Sequence, residues 1–447
     1  MDMSGSIGAT TSTGRPWKQA ALWLACLAPF FYLSYGLANH LASLRADVGS
    51  VVFDWERLVP FMAWTIVPYW SINLFYGLSL FLCRTRTELH AHGRRLLTAQ
   101  LVAVSCFLLF PLGFTFARPP TDGIPGLFFA ALTSFDKPFN QAPSLHIALL
   151  IVLWDLYRRL LPRRWHWLLH GWSWLIAISV LTTYQHHFID IPTGALLGLV
   201  CLWLWPLDGS SPLRGLQFTG DRRRQRLALH YAVGAAACFA LAAWLGGIAL
   251  WLCWPGAALL LVALNYLLFG AAGFQKDVQG RPSFATRWLL LPHRLGAWIN
   301  ARLWTRREPP AVRVASGVML GRMPTTREAQ RLGITHVVDL SAELSSPDGV
   351  VVRAVPMLDL VAPDADHLRV AAEAIEAQRL AAGEAGTVLV CCALGYSRSA
   401  AAAAAWLLHT GRSERVDEAI ARLRRERPNL VLHEAHRLAL ASLALHA

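Results

Sequence analysis

The segment from Val388 to Ser399 combines residue types that can bind and attack phosphate. An apolar, strand-like run ends at Cys392, a short loop with Gly395 follows, and Arg398 stands directly before an alanine-rich helical stretch. Backbone N–H groups in a loop between a strand and a helix N-terminus form a concavity that binds anions. An arginine can bind two phosphate oxygens at once. Because a thiolate beside a bound phosphoryl group is a nucleophile, this pattern predicts hydrolysis of a phosphomonoester.

The spacing from Cys392 to Arg398 resembles the Cys-x5-Arg-Ser signature of the protein tyrosine and dual specificity phosphatases. The resemblance covers roughly the last third of the chain and implies a small α/β domain with Cys392 as the nucleophile. By the same resemblance Arg398, Gly395 and Ser399 belong to the phosphate-binding loop. Family members usually have a histidine directly before the nucleophile, whereas this chain has Cys391 there. We expect Cys391 to point into the core, as free cysteines commonly do.

A cysteine phosphatase also needs an acid that protonates the leaving oxygen. The segment Val355–Asp364 follows a predicted strand, at about the distance from the nucleophile where dual specificity phosphatases have their acid. This resemblance indicates Asp359. Asp364 and Asp366 are the alternatives, although each is more typical of a helix cap or a solvated loop. Further segments resemble other parts of the same domain: Val318–Arg322 an entry strand, Gly333–Leu340 the next strand, and Arg427–Asn429 a late turn.

The sequence before residue 271 has a different composition. The chain of 447 residues is 55% hydrophobic, contains 19 tryptophans and has a formal net charge of +13. Most long apolar runs lie in this part, and their length is typical of membrane-spanning helices rather than of a soluble core. We predict about eight spans: Ala20–Ala38, Val59–Cys83, Leu96–Ala117, Leu145–Leu160, Trp167–Thr183, Ile191–Leu207, Leu227–Leu245 and Ile248–Gly270.

Basic residues predict the orientation of these spans. The connections after every even-numbered span are rich in arginine or lysine, in the segments 84–95, 158–164, 214–226 and 276–287. The opposite connections, 47–56, 121–141 and 186–190, are nearly free of such clusters. The positive-inside rule then predicts that both termini are cytoplasmic, and we expect a multi-pass protein of a bacterial inner membrane. Topology and anionic lipids account for the net charge, so no nucleic-acid partner is expected.

The segment 272–310 is basic and rich in tryptophan. Trp288, Trp298 and Trp304 alternate with arginines, which is typical of an interfacial helix that holds a domain at the membrane surface. An ordinary amphipathic packing helix is the alternative. The predicted architecture is therefore a multi-span α-helical membrane domain (1–271), a basic linker (272–310) and a small α/β cysteine-phosphatase domain (311–447).

Polar residues at the predicted outer ends of the spans form a second candidate site. His146 lies at the start of the fourth span, and His186 and Asp190 lie at the start of the sixth. Ionisable residues within membrane segments are candidates for function. Since His186 and Asp190 are four residues apart, they share one helical face and the carboxylate can orient the imidazole. One imidazole can then attack phosphorus while the other donates a proton, without a metal.

These residues resemble the type 2 phosphatidic acid phosphatase family. The segments Pro143–His146 and His186–Ile191 look closer to its inositol phosphorylceramide and sphingomyelin synthase branch. The resemblance implies that His186 is the nucleophile, that Asp190 orients it and that His146 is the acid.

Phosphate binding at this site is expected to involve Arg118, Ser144 or Lys137. Arg118 resembles the arginine of the family's first motif, while Pro111 and Val180 stand where the family has a further lysine and arginine. His187 is an alternative nucleophile, although its spacing to Asp190 is less favourable.

Together the two sites predict a bifunctional membrane enzyme of phospholipid metabolism. The outward histidine site would act on lipid phosphates, with water or a lipid hydroxyl as acceptor. The cytoplasmic cysteine site would cleave a phosphomonoester, such as phosphatidylglycerophosphate or a phosphoinositide. No cofactor and no metal are expected, and membrane lipids are the expected partners. Two alternatives are a membrane-anchored protein tyrosine or serine/threonine phosphatase and a non-catalytic sensor of lipid phosphates. The residues do not decide the oligomeric state.

Overall fold

The computed structural model describes residues 15–207 and 211–444. The predicted cytoplasmic ends, 1–14 and 445–447, lie outside these residues. The chain divides after residue 209 into two compact units. The first unit is helical. Its α-helices are α1 (Trp17–Ser43), α2 (Ile66–Leu82), α3 (Arg86–Leu109), α4 (Gly123–Thr133), α5 (Leu145–Leu160), α6 (His166–Thr182) and α7 (Asp190–Leu204).

Helix boundaries in the first unit follow from caps and prolines. Thr85 caps α3 by accepting a hydrogen bond from the N–H of Glu88 (3.1 Å), and Ser144 caps α5 in the same way. Helix α3 ends at Leu109, well before the end of the predicted span Leu96–Ala117. Pro111 follows two residues later, and a proline disfavours helical geometry at the residue before it. The predicted span was therefore too long at its C-terminal end.

Among the described residues, four helical segments are long and apolar enough to cross a membrane, by length and composition: Trp17–Ser43, Ala63–Leu82, Arg222–Leu245 and Gly247–Phe274. They overlap the first, second, seventh and eighth predicted spans. The other four predicted spans also contain helices, but α5, α6 and α7 have only 16, 17 and 15 residues. Helix α3 is longer, but its first half carries Arg94 and Arg95. Length and composition thus support half of the predicted spans.

The second unit combines helices with a five-stranded sheet. Its helices are α8 (Arg222–Leu245), α9 (Cys253–Leu264), α10 (Phe284–Leu289), α11 (Leu291–Trp304), α12 (Thr326–Arg331), α13 (Ala365–Ala382), α14 (Arg398–His409), α15 (Val416–Glu426) and α16 (Glu434–Ala444). The strands are β1 (Ala311–Ala315), β2 (Val318–Arg322), β3 (His336–Ser341), β4 (Val351–Met357) and β5 (Val388–Cys392). Strand order is β1-β2-β5-β3-β4, and only the β1–β2 pair is antiparallel.

Two hydrophobic clusters cover the faces of this sheet. Because side chains alternate along a strand, the adjacent residues Cys391 and Cys392 belong to different clusters. Cys392 lies on the face that packs against the buried alanines of α14, whose small side chains let the helix approach the sheet closely. Cys391 is fully buried on the other face, with Val337 and Leu389. The predicted inward orientation of Cys391 agrees with this packing.

The boundary between the compact units differs from the predicted division after residue 271. Helices α8 and α9 share a unit with the sheet because a hydrophobic cluster joins them: it includes Ala228 of α8, Val262 of α9 and Ala342 after β3. Lys276 follows these helices and forms a fully buried ion pair with Asp339 of β3. The last two predicted spans are therefore packed onto the α/β domain rather than separated from it.

Candidate active site

The cysteine site lies where the carboxyl ends of neighbouring parallel strands meet. Strand β5 ends at Cys392, and its loop leads directly into α14 at Arg398. Sγ of Cys392 accepts a hydrogen bond from the N–H of Gly395 (3.2 Å) and lies 3.3 Å from Oγ of Ser399. The loop therefore curls around the sulfur, as an anion-binding loop at a helix N-terminus must.

Arg398 is 1% exposed and is held by carboxylates from two other loops. Its terminal nitrogens donate to both carboxylate oxygens of Glu343 (2.7 and 2.9 Å) and to the carbonyl of Met357 (3.0 Å). One of them also lies 2.9 Å from Oδ1 of Asp359. Nε of Arg398 is buried, and none of the described residues accepts a hydrogen bond from it. This donor remains for a phosphate oxygen in the loop.

The histidine site lies in the first unit. Nδ1 of His186 is 3.0 Å from Oδ2 of Asp190, and its Nε2 is 3.3 Å from Oγ of Ser144. His186 and Asp190 are both buried. The carboxylate therefore occupies Nδ1, and Nε2 is the ring nitrogen that lies beside Ser144. His146 stacks on Tyr69, and its buried Nε2 has no hydrogen-bond partner within the described ranges.

His187, the alternative nucleophile, has other partners. Its Nδ1 lies 2.9 Å from the carboxylate of Glu56, and its Nε2 contacts both the N–H and the hydroxyl of Thr115. Both ring nitrogens are therefore engaged in the fold. His186, by contrast, pairs with Asp190 and lines two cavities.

Two cavities meet at His186. One, of about 320 Å³, is lined by Arg118, Lys137 and Gln141. The other, of about 210 Å³, is lined by His146 and mostly by apolar residues. Asp136 lines both and accepts a hydrogen bond from Asn39 (3.1 Å). The first cavity thus has a more basic and polar lining than the second.

Comparison with known proteins identifies the C-terminal part of the chain. Residues 318–443 match the family model for the dual specificity phosphatase catalytic domain. Human DUSP28 is similar to the chain at 30% identity, with a TM-score of 0.27, over 31% of this chain and 97% of its own. Tk-PTP in the active form is 29% identical, with a TM-score of 0.28, over 31% of this chain and 99% of its own. PTPMT1 in complex with PI(5)P is 19% identical, with a TM-score of 0.26, over 31% and 96%. No curated protein matches the chain.

Residues 318–443 are a dual specificity phosphatase catalytic domain. The protein is thus a phosphoric monoester hydrolase, as the Cys392 to Arg398 spacing predicts. No grouping of three or more histidine, cysteine or acidic side chains in the described ranges could hold a metal ion.

Two carboxylates beside Arg398, those of Glu343 and Asp359, have pKa values that are shifted in opposite directions. Burial alone would raise the pKa of Glu343, but the adjacent guanidinium of Arg398 holds it down at about 2. Burial raises the pKa of Asp359 above its ordinary value, although Arg398 opposes the shift. The side chain of Asp359 is also one third exposed (33%), so it can reach a substrate. Glu343 is therefore a fixed anion that positions Arg398, whereas Asp359 can carry a proton.

Asp364 and Asp366, the alternatives to Asp359 as the acid, have local structural roles. Asp364 caps α13 by accepting a hydrogen bond from the N–H of His367 (2.8 Å). Asp366 is exposed and pairs with Arg369 one turn later (3.2 Å). Neither contacts Arg398, unlike Asp359. The geometry therefore favours Asp359 as the acid.

Several residues at the two sites were missed by the sequence reasoning. Glu343 follows β3, and β3 pairs with β5 in the sheet, so a carboxylate at this position meets the loop after β5. The position of Glu343 just after a predicted strand was the available signal. Asp136 and Glu56 belong to no recognisable motif. Only the structure places Asp136 beside His186 and Glu56 against His187.

Gly395 is expected to tolerate no side chain. Its φ is +79°, and a Cβ would lie 2.4 Å from the backbone carbon of Gly321. We expect Gly395→Ala to lower kcat/KM for a phosphomonoester by about tenfold or more, since strain of about 1–3 kcal/mol must distort the loop. Gly411→Ala is the matched control, because Gly411 also has positive φ (+64°) but open space around it. Steady-state kinetics of both variants would test this, and equal losses would contradict it.

Proposed function

We propose that the protein is a multi-pass membrane enzyme whose cytoplasmic phosphatase domain removes a phosphomonoester from a membrane lipid. One observation carries the proposal: the phosphatase domain shares a compact unit with α8 and α9, which belong to segments long and apolar enough to cross a membrane. The hydroxyl of Tyr266 donates a hydrogen bond to the carbonyl of Asp359, the proposed acid (2.9 Å). A catalytic domain held in this way meets membrane phosphates at a high effective concentration.

The proposed reaction uses three side chains of the phosphatase domain. Sγ of Cys392 attacks phosphorus while Arg398 and the loop N–H groups bind the phosphoryl oxygens. The bond from phosphorus to the ester oxygen breaks, and Asp359 donates its proton to that oxygen. Water then attacks the phosphocysteine, Asp359 takes a proton from it, and the thiolate and inorganic phosphate are released.

A panel of substrates tests this proposal on the full chain in detergent micelles. We expect phosphate release from phosphatidic acid, phosphatidylglycerophosphate or a phosphoinositide to exceed release from phosphopeptides by about tenfold or more in kcat/KM. In a His186→Ala background, Cys392→Ser must abolish the preferred activity. A preference for phosphopeptides would instead support a membrane-anchored protein phosphatase. Binding of these lipids without any release of phosphate would support a sensor.

A second proposed activity belongs to the histidine site. The pairing of His186 with Asp190, beside a cavity that holds Arg118 and Lys137, supports phosphoryl or headgroup transfer through a phosphohistidine. In this proposal His186 attacks phosphorus, Asp190 orients its ring, and His146 donates a proton to the leaving oxygen.

His186→Ala tests the second activity in a Cys392→Ser background. We expect the lipid phosphate release or headgroup transfer that survives Cys392→Ser to fall by about 10²-fold, because the proposed nucleophile is lost. His40→Ala is the matched control, since His40 is exposed in the last turn of α1. Chromatography of labelled lipid products measures both hydrolysis and transfer. Equal activities of His186→Ala and His40→Ala would remove this activity from the proposal.

A further inference from the structure

A cavity of about 400 Å³ adjoins the catalytic end of the sheet. One side is formed by the phosphatase domain: Glu343, Asp359 and the loop residues Ala393 and Leu394. The opposite wall comes from residues outside 318–443, including Tyr231, Leu259, Tyr266, His293, Gly296 and Asn300. Residues outside the dual specificity phosphatase domain therefore form one wall of the cavity beside Asp359.

The wall outside 318–443 forms a hydrogen bond with Asp359 and contains a polar group without a hydrogen-bond partner among the described residues. Besides the bond from Tyr266 to Asp359, the ring of Tyr231 stacks on Tyr266 (5.5 Å) and meets His293 edge-on (5.8 Å). Nδ1 of His293 is buried, and no described residue forms a hydrogen bond with it. Burial lowers the pKa of His293, which favours the neutral ring. An unpaired imidazole nitrogen in an otherwise largely apolar wall is suited to a ligand that carries few polar atoms.

The charges of the cavity restrict the ligand further. The lining residues include the carboxylates of Glu343 and Asp359 but no lysine and no arginine. Arg398 behind them can bind one phosphate in the loop. Additional phosphate groups within the cavity would face carboxylates without a cation, which is unfavourable. A ligand with one phosphate on an uncharged, mostly apolar body fits these charges.

Helix α11 relates the cavity to a lipid surface. His293, Gly296 and Asn300 line the cavity from one face of α11, while Leu295 and Ile299 on the other face are 52% and 50% exposed. Arg306 and Arg307 follow this helix and are exposed, whereas Arg294 and Arg302 bind residues of the phosphatase domain. An exposed apolar helix face with neighbouring arginines is typical of helices that lie in an anionic membrane interface. The cavity would then be separated from lipid by about 10 Å, the diameter of one helix.

We propose that α8, α9 and α11 form a substrate-binding wall for a diacyl lipid that carries a single phosphomonoester, such as phosphatidic acid. The wall holds the glycerol and the first part of the acyl chains, and His293 forms a hydrogen bond with an ester oxygen of the lipid. This inference rests on the proposed function of the phosphatase domain and assigns its substrate class. It also makes Gly296 and His293 determinants of specificity that lie outside the catalytic domain.

Filling the cavity tests the proposal. Gly296 lies in the wall, and a Cβ there would meet no atom within 4 Å, so Gly296→Leu fills the cavity without a backbone clash. The full chain in mixed micelles is assayed with phosphatidic acid and with p-nitrophenyl phosphate. We expect Gly296→Leu to lower the ratio of the two kcat/KM values by about tenfold or more, and His293→Ala to lower it by about threefold or more. Gly171→Leu in α6, also a helical glycine with open space, is the control and should keep the ratio.

The outcomes separate this inference from the proposed function. If the wild type releases phosphate from phosphatidic acid through Cys392 but neither variant changes the ratio, the wall is refuted and the lipid phosphatase stands. If the wild type prefers a phosphotyrosine peptide and Gly296→Leu lowers that activity, the cavity holds a peptide side chain and both proposals fail. If Gly296→Leu does not fold, the ratio for His293→Ala decides. Equal turnover of a phosphoinositide with three phosphomonoesters would refute the restriction to one phosphate.

Discussion

Cys392→Ser is expected to lower kcat for hydrolysis of a soluble phosphomonoester by at least about 10⁴-fold, because the variant loses the covalent step. The hydroxyl of serine remains protonated at neutral pH and does not replace the thiolate. Sγ of Cys392 lies in the loop, within reach of the Gly395 N–H and the Ser399 hydroxyl (3.2 and 3.3 Å). Release of p-nitrophenol from p-nitrophenyl phosphate measures the effect on the full chain.

The adjacent cysteine provides a close control. Cys391 is fully buried on the opposite face of the sheet, and burial raises the pKa of its thiol well above the usual value. It therefore stays protonated and away from the phosphate loop. Cys391→Ser is expected to keep kcat within about threefold of the wild type. Its thermal stability should fall, because the variant buries a polar hydroxyl group. Loss of activity in Cys391→Ser with retention in Cys392→Ser would reverse the assignment of the nucleophile.

Asp359→Asn is expected to lower kcat/KM by about 10²–10⁴-fold for a lipid substrate, whose alkoxide is a poor leaving group. The loss should be smaller for p-nitrophenyl phosphate, whose phenolate leaves without a proton. Only protonated Asp359 can act as the acid, so activity on the lipid falls as pH rises through its pKa. Since burial raises that pKa, the fall should lie at higher pH than for an ordinary aspartate. In Asp359→Asn the alkaline limb of the profile should be missing.

Asp364→Asn serves as the control for the acid. Asp364 caps α13, and asparagine caps a helix about as well as aspartate, so Asp364→Asn should change stability little and leave the shape of the pH profile intact. Profiles of kcat/KM between pH 4 and pH 9 on phosphatidic acid distinguish the two variants. A profile for Asp359→Asn that keeps its alkaline limb would assign that limb to another group. Retention of lipid activity in Asp359→Asn would refute its role as the acid.

The cysteine site was predictable from the sequence because its main parts are local. Cys392, Gly395, Arg398 and Ser399 lie within eight residues, and the strand, loop and helix that position them are continuous in the chain. Burial of Cys391 was also expected, because free cysteines commonly lie in the core. The contact between His186 and Asp190 was predictable too, because the two residues are four positions apart.

The remaining parts of both sites depend on residues far apart in the chain. Glu343 binds Arg398 from 55 positions away. His187 pairs with Glu56 across 131 positions, which no spacing indicates. The boundary between the two compact units could not be predicted either. The apolar residues of α8 and α9 can be buried equally well by lipid or by the α/β domain, and the sequence does not distinguish the two.

Local spacing and periodicity were enough to predict the loop after Cys392, the helical character of the part before residue 271 and the fold of the last third. They could not predict which carboxylates flank Arg398 or which helices enclose the neighbouring cavity. These contacts form between surfaces that only packing brings together. A buried guanidinium requires anions, and an apolar helix face requires cover, but neither requirement specifies which distant residue will meet it.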